Sequence, residues 1–446
     1  MNFTIDFAGF AAAAAENPVS AALWVLGHGG WVFLLPLFGY LAVNMWLEWR
    51  RGVYDSQRQF VTLAIDVPRN NEQTPRAIEH FYAHLSGIHG GPKGLEVWWE
   101  GEIPDSISLE IVSLGGYVQF VVQTLVQYRD LVEAAIYAQY PEAEITEVED
   151  YAMRFRGITF PNDRFDVWGS ELKMTNKQYF PIKLYHEFED SVSGEFKDPM
   201  AALLEIMSKI SPDEQVWLQF VITPANNDWG KPGEQLAQKM IGIKTNHKSG
   251  LWERLGEAPL QFLSLLGETL SGGTAVTQKR GEPYSQLPFV SPSTRETVEA
   301  IERKVGKIGF HTRVRLVYVA RKSAFSKATR VNALFGAIKQ FNTLDKNGFK
   351  PNMKKTTKVY GFFKTYRLNY RKNRIMRLYR MRARHYTPGY YGEILNTEEL
   401  ATLYHFPVMQ VKTPLLRRTE AKRAEPPVSL PVAPFEPPSG PPTGSV

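Results

Sequence analysis

Asn17 to Leu47 is a run of 31 residues without a charged side chain, closed by Glu48, Arg50 and Arg51, and no Lys or Arg precedes Arg50. At about 1.5 Å of helix rise per residue, such a run exceeds the roughly 30 Å of a bilayer's hydrocarbon core. Residues 17–49 are therefore expected to form one transmembrane helix, with Trp24, Trp31, Trp46 and Trp49 suited to interfacial belts. A cleaved signal peptide needs a basic start and an apolar core of about 7–15 residues, and this segment has neither. Asp6 and Glu16 flank one end and Arg50, Arg51 and Arg58 the other. The positive-inside rule then places tail 1–16 outside a bacterial inner membrane and the bulk of the chain in the cytoplasm, as a single-pass protein. His28, among Gly27, Gly29 and Gly30, reads as a wetted helix end near the outer boundary.

The rest of the 446 residues is enough for two or three ordinary domains, and 43% hydrophobic with 22% charged residues describes a foldable chain. Having no cysteine excludes disulfides, thiolate nucleophiles and thiolate metal sites. The net charge of +6 conceals an asymmetry: Lys350 to Arg384 holds 13 Lys or Arg and no acidic residue, leaving 39 basic against 46 acidic groups elsewhere. That one segment is expected to meet an anion.

Apolar periodicity gives an order of elements. Phe60–Val67 is strand-like, Pro75–Ile88 helical, Ser106–Ser113 and Tyr117–Thr124 a hairpin around Gly115-Gly116, Tyr128–Tyr140 helical, and Glu144–Val148 a short strand. This is βαββαβ, the ferredoxin-like split arrangement, over residues 58–152. A second round over 153–350 has strand Ile182–Phe188, helix Pro199–Ile210 capped by Asp198, and strand Val216–Thr223. Helix Thr294–Val305, strand Thr312–Ala320 and helix Lys327–Phe341 follow an insertion, 224–292, that includes the amphipathic stretch Trp252–Leu270. The expected class is α+β: an N-terminal transmembrane helix, two ferredoxin-like domains, a basic segment with a short capped helix over 351–407, and a Pro-rich tail, 408–446.

Motifs for catalysis are missing. There is no G-x-x-x-x-G-K-[ST], since the two Gly-Lys pairs continue as Gly230-Lys231-Pro232 and Gly306-Lys307-Ile308, and there is no G-x-S-x-G elbow. His80 and His84 share a helix face with His89 just beyond, but H-E-x-x-H is not matched, and a solvated face is the better reading. The acidic run Glu142, Glu144, Glu147, Glu149 and Asp150 reads as a solvated edge. The expectation is a non-enzyme without metal or cofactor.

The basic segment carries the chemistry. Lys354, Lys355, Lys358, Lys364, Arg367, Arg371, Lys372, Arg374, Arg377, Arg380, Arg382 and Arg384 are candidates for an anionic ligand, nucleic acid or lipid. Tyr360, Phe362, Phe363, Tyr366 and Tyr370 among them are candidates for stacking on the bases of single-stranded DNA. An acidic protein partner and a plain solvated face are the other readings of the same charges.

Ile394-Leu395-Asn396-Thr397-Glu398-Glu399-Leu400-Ala401-Thr402-Leu403-Tyr404-His405-Phe406-Pro407 reads as a helix capped by Asn396 or Thr397, with Leu400 and Leu403 inward. This run resembles the segment just before the motor domain in conjugation and type IV secretion ATPases of the coupling-protein kind (VirB4- and HerA-like). Ser108–Ser113, Tyr128–Pro141, Gln340-Phe341-Asn342 and Asn347–Pro351 resemble the membrane-anchored, non-motor domain of unknown function found with such ATPases in small-genome bacteria. The resemblance implies a non-catalytic membrane scaffold that docks a separately encoded P-loop motor ATPase in a conjugation- or secretion-like DNA or protein transfer system, as an oligomer with the motor. Thr397, Glu398, Glu399, Leu400, Leu403, His405 and Pro407 would be its docking residues. The alternative expectation is a stand-alone, membrane-tethered protein that binds single-stranded nucleic acid.

Overall fold

The computed structural model describes residues 7–68, 71, 73–88, 90, 95–189, 196–243, 291–382 and 392–408. Its apolar N-terminal region is not one straight helix. Helices α1 (Phe7–Glu16) and α2 (Pro18–Val25, capped by the Asn17 side chain) lead through the turn Leu26–Gly30 into α3 (Trp31–Ser56). Gly29 sits at φ +97°, which an L side chain rarely adopts, and the helical path breaks there. No single described helix is both long and apolar enough to cross a membrane. Pro18–Gly29 and Leu34–Ser56, bent by 91°, meet that requirement only as a pair. The expected single helix over 17–49 is corrected to this bent pair.

Beyond α3 the chain is α+β, and among the described residues all the strands lie in one antiparallel sheet. The first half runs β1 (Phe60–Asp66), α4 (Pro75–Leu85), β2 (Ile107–Leu114), β3 (Tyr117–Leu125), α5 (Arg129–Tyr137) and β4 (Glu144–Glu147), each within a few residues of its expected place. Gly115 and Gly116 both take positive φ, at +63° and +89°, and close the β2–β3 hairpin as the glycine pair requires. The second half runs β5 (Phe165–Met174), α6 (Met200–Ser208), β6 (Glu214–Pro224), α7 (Lys231–Met240), α8 (Pro292–Val305), β7 (Gly309–Arg321), α9 (Lys327–Lys339) and β8 (Phe349–Pro351). Its first strand is β5, not Ile182–Phe188, which is extended chain ending in the 3-10 turn Tyr185–Phe188. Trp252–Leu270 and the Pro-rich tail lie outside the described residues.

The strand order is β4-β1-β3-β2-β6-β7-β5-β8. Each half thus has the order 4-1-3-2 in its own strands, but the halves are not two closed domains. β2 pairs with β6 over eight residues, Ile107↔Ile222 to Leu114↔Gln215, so the sheet runs unbroken through the expected domain boundary. A last strand, β9 (Glu393–Asn396), pairs with the start of β7 and leads into α11 (Thr397–Leu403).

Both faces of this sheet are covered. On one, Leu63, Leu109, Val122, Leu218 and Leu316 pack under Phe81, Ile136, Leu204, Leu334 and Leu400 of the helices above. On the other, Val112, Val121, Trp217 and Val317 pack under Ile375, Met376 and Tyr379 of α10 (Lys364–Arg380). About half of the basic segment is therefore a core-covering helix, whose buried residues recur at helical spacing.

Candidate functional site

Helix α10 crosses the second face from the β5 edge to the middle of the sheet. Ile375 lies over Gly169, where an added Cβ would come within 3.0 Å of it. Tyr379 stacks obliquely on Trp217, with ring centroids 5.1 Å apart. Just past the helix, Arg382 donates to Glu110 of β2 at 2.9 Å and also pairs with Asp150. Beneath it lies a polar row that sequence reasoning missed. Glu110, Gln219, Arg315 and Glu171 face one another in register across β2, β6, β7 and β5, and all four are buried. Gln219 joins Arg315 (2.8 Å) to Glu110 (2.9 Å), while Ser108, Tyr151 and Arg382 complete the Glu110 shell. Burial opposes charge on Glu110, but Arg382 and these hydrogen bonds hold its carboxyl below the usual range. The available signal was a charge or an amide within mostly apolar strands β2, β6 and β7.

The structure divides the twelve basic candidates. Arg382 and Lys372 are buried on carboxylates, Lys372 on Asp166. Lys355 is held by Glu171, with burial pushing its ammonium down. Arg371 donates to the carbonyls of Met353 and Thr356 (2.9 and 3.1 Å), and Arg380 to that of Phe155. Those five serve the fold, which corrects their reading as free ligand contacts. Arg374 is half-buried and Arg377 exposed, while Arg384 lies outside the described residues. Lys354, Lys358, Lys364 and Arg367 are exposed, and none pairs with a carboxylate among the described residues.

The five stacking candidates gather where those four cations are. Tyr360, Phe362, Phe363, Tyr366 and Tyr370 are 65, 88, 82, 75 and 55% exposed. They lie in the loop before α10 and on its first turns, next to the part of β5 that β8 leaves unpaired. Lys358 lies over the Tyr360 ring at 5.2 Å, and Arg367 donates to the Tyr360 carbonyl at 3.1 Å. Phe363, the residue capping α10, sits in the left-handed region at φ +54°, ψ 37°. A non-glycine residue held there costs of order 1–3 kcal/mol, and such residues concentrate at functional sites.

The proposed docking residues lie elsewhere and point inward. Asn396 and Glu399 form the expected capping box, but Thr397, Glu398, Glu399, Leu400, Leu403, His405 and Pro407 are all buried in the chain's own fold. Tyr82 donates to the Leu400 and Tyr404 carbonyls, Glu399 accepts from Ile182 N and Lys304, and His405 lies 3.0 Å from Asp198. This segment wedges the two halves together and presents no free face to a partner. His80 and His84 are exposed on α4, and His89 lies outside the described residues, among which no cluster fits a metal ion.

Residues 55–419 match the family described as Domain of unknown function (DUF8128). The chain belongs to that family. No curated protein matches it. The match begins within the last residues of α3, so the DUF8128 region holds both halves of the sheet, the α10 projection and the α11 wedge, and leaves out most of the apolar helices.

Proposed function

We propose that this DUF8128 protein is a membrane-embedded, non-enzymatic protein that binds single-stranded nucleic acid through the projection formed by residues 353–370. One observation carries the reading: five aromatic rings stand exposed beside four cations that no carboxylate among the described residues neutralises. Exposed rings offer stacking platforms and the cations offset phosphate charge, the pairing that sequence-tolerant single-strand binders use. The bent apolar pair would hold the chain at a bacterial inner membrane, with the sheet on the side of Arg50 and Arg51. The apolar helices enter the sheet at β1 and the projection leaves at β5, five strand positions away. At about 4.8 Å per position, that is roughly 24 Å across the sheet. The 4-1-3-2 order of each half supports a further proposal, that the sheet is two fused ferredoxin-like units. Service as a scaffold for a separate motor ATPase rests on the resemblance alone, because the residues it names lie inside the fold.

The test is fluorescence anisotropy of a labelled oligothymidine with the detergent- or nanodisc-held protein over a salt series. Changing Lys354, Lys358 and Lys364 to Gln should flatten the log K–log salt slope by about 2, at about 0.7 per phosphate contact of a single strand. Phe362→Ala should weaken binding by about 1–3 kcal/mol with the slope unchanged. Absence of binding, or capture of anionic vesicles in its place by the same residues, rejects the reading.

A further inference from the structure

A second apolar surface lies far from the projection. Between α4 and β2 the chain makes a single wide turn, Glu96–Glu100, that ends at Gly101 in the left-handed region (φ +72°). This turn packs on α3. Trp46 Nε1 donates to the Trp98 carbonyl at 3.2 Å, and the Trp99 ring meets Trp46 edge-on with centroids 6.4 Å apart. Gly101 lies so close to Arg50 that an added Cβ would come 2.4 Å from its carbonyl carbon, so only glycine permits this docking. Leu95, Trp98 and Trp99 nevertheless remain 73, 49 and 64% exposed, continuous with Trp46 and Trp49, which are also exposed.

The place of this cluster along α3 identifies what covers it. The uncharged run ends at Leu47, and Glu48, Arg50 and Arg51 begin the charged stretch, so the four indoles stand at the boundary between apolar and polar helix. The Arg50 guanidinium lies over the rings of Trp46 (5.9 Å) and Trp49 (5.7 Å), a charge directed toward the polar side of an aromatic belt. Indoles have an apolar body and a polar edge, and they collect at the headgroup level of a bilayer.

We infer that the Leu95–Glu100 turn is a second membrane contact, seated in the headgroup–acyl boundary beside Trp46 and Trp49. The inference rests on the membrane-embedded reading of the apolar helices. Glu96 and Glu100 on the same turn give it no attraction for anionic lipid, so zwitterionic lipid suffices. Two contacts, one from the helix and one from the sheet's own connection, fix the tilt of the sheet relative to the bilayer.

The cysteine-free chain allows a direct test by site-directed spin labelling in phosphatidylcholine proteoliposomes. Single variants Leu95→Cys, Trp99→Cys, Leu35→Cys and Leu344→Cys carry a nitroxide, and collisions with oxygen and with a water-soluble nickel chelate report depth. Leu95 is 73% exposed, so Leu95→Cys guards against misfolding of Trp99→Cys. Labels at 95 and 99 should favour oxygen at a shallower depth than the label at 35, whereas the label at 344 should favour nickel. Nickel-accessible labels at 95 and 99 with a lipid-shielded label at 35 overturn this inference alone. A nickel-accessible label at 35 overturns the membrane reading and takes the inference with it.

Discussion

Glu214 opens β6, buried, and several donors meet on its carboxylate. It accepts from Arg330 Nε and Nη2 (3.0 and 2.7 Å), from the Tyr318 hydroxyl (2.6 Å) and from the Ser211 amide (2.7 Å). Burial by itself would raise its pKa, but these donors win and hold it down from 4.5 to about 2. A depressed folded-state value means that the unfolded chain takes up the proton first. The stabilisation is therefore complete above the unfolded pKa of 4.5 and is lost as pH falls toward 2. At 1.36 kcal/mol per pKa unit it is worth about 3 kcal/mol at pH 7 and about 1 kcal/mol at pH 3. Glu214→Gln removes the charge and keeps one acceptor oxygen, which can serve either Ser211 or Tyr318, because the two donate to different carboxylate oxygens. Urea titrations of detergent-held wild type and variant at pH 7, 5, 4 and 3 should show a gap of about 3 kcal/mol that closes steadily below pH 5. A gap under about 1 kcal/mol at pH 7, or one as wide at pH 3 as at pH 7, refutes the reasoning.

Phe363→Gly should act on stability and binding with opposite signs. Relief of the left-handed backbone raises stability by about 1 kcal/mol in thermal or urea unfolding, while loss of an exposed ring weakens oligonucleotide binding. At the α11 wedge, Lys304→Met leaves the fully buried Glu399 without its cation (2.9 Å) and should cost about 3–5 kcal/mol. Adding Glu399→Gln should recover part of that loss, and a double-mutant cycle that is simply additive would count against a coupled buried pair.

Most of the first half was legible because its apolar positions alternate cleanly and Gly115-Gly116 marks the hairpin. β5 was not, and the reason lies in what faces α10. Gly169 is small so that Ile375 can seat on it, and Glu171 is a buried charge paired with Lys355 and lying 3.6 Å from Arg315, so the strand loses its apolar alternation to partners remote in sequence. Glu398 and Glu399 misled in the same way. On a seven-residue helix two adjacent glutamates read as solvent-facing, but Lys307 and His186 hold Glu398, and Lys304 holds Glu399. The five aromatics of the projection were legible as a cluster among Lys and Arg, and nothing among the described residues covers them. The break in the apolar helices had a visible signal in Gly27, Gly29 and Gly30, but hydropathy alone reports length and not direction.

The path of residues 349–408 explains why a basic helix belongs in this fold. From β8 at one edge the chain crosses the second face as α10, returns to the sheet as β9 beside β7, and ends on the first face as α11. Along the way it is fastened to both halves. Lys372 meets Asp166 in the second, Arg382 meets Glu110 and Asp150 in the first, and Tyr404 and Phe406 then pack on Phe120 of the first while His405 meets Asp198 of the second. Two halves joined only through the β2–β6 ladder would leave a long sheet free to flex along that seam, and this belt crosses the seam on both faces. The positive charge of the segment therefore divides by location. Cations over the sheet offset carboxylates that the two halves bury, and those beside β5 meet no carboxylate among the described residues. The belt also couples them, because Arg371 ties the 353–358 loop to the helix that Arg382 fastens, so the exposed rings stand on a rigid base.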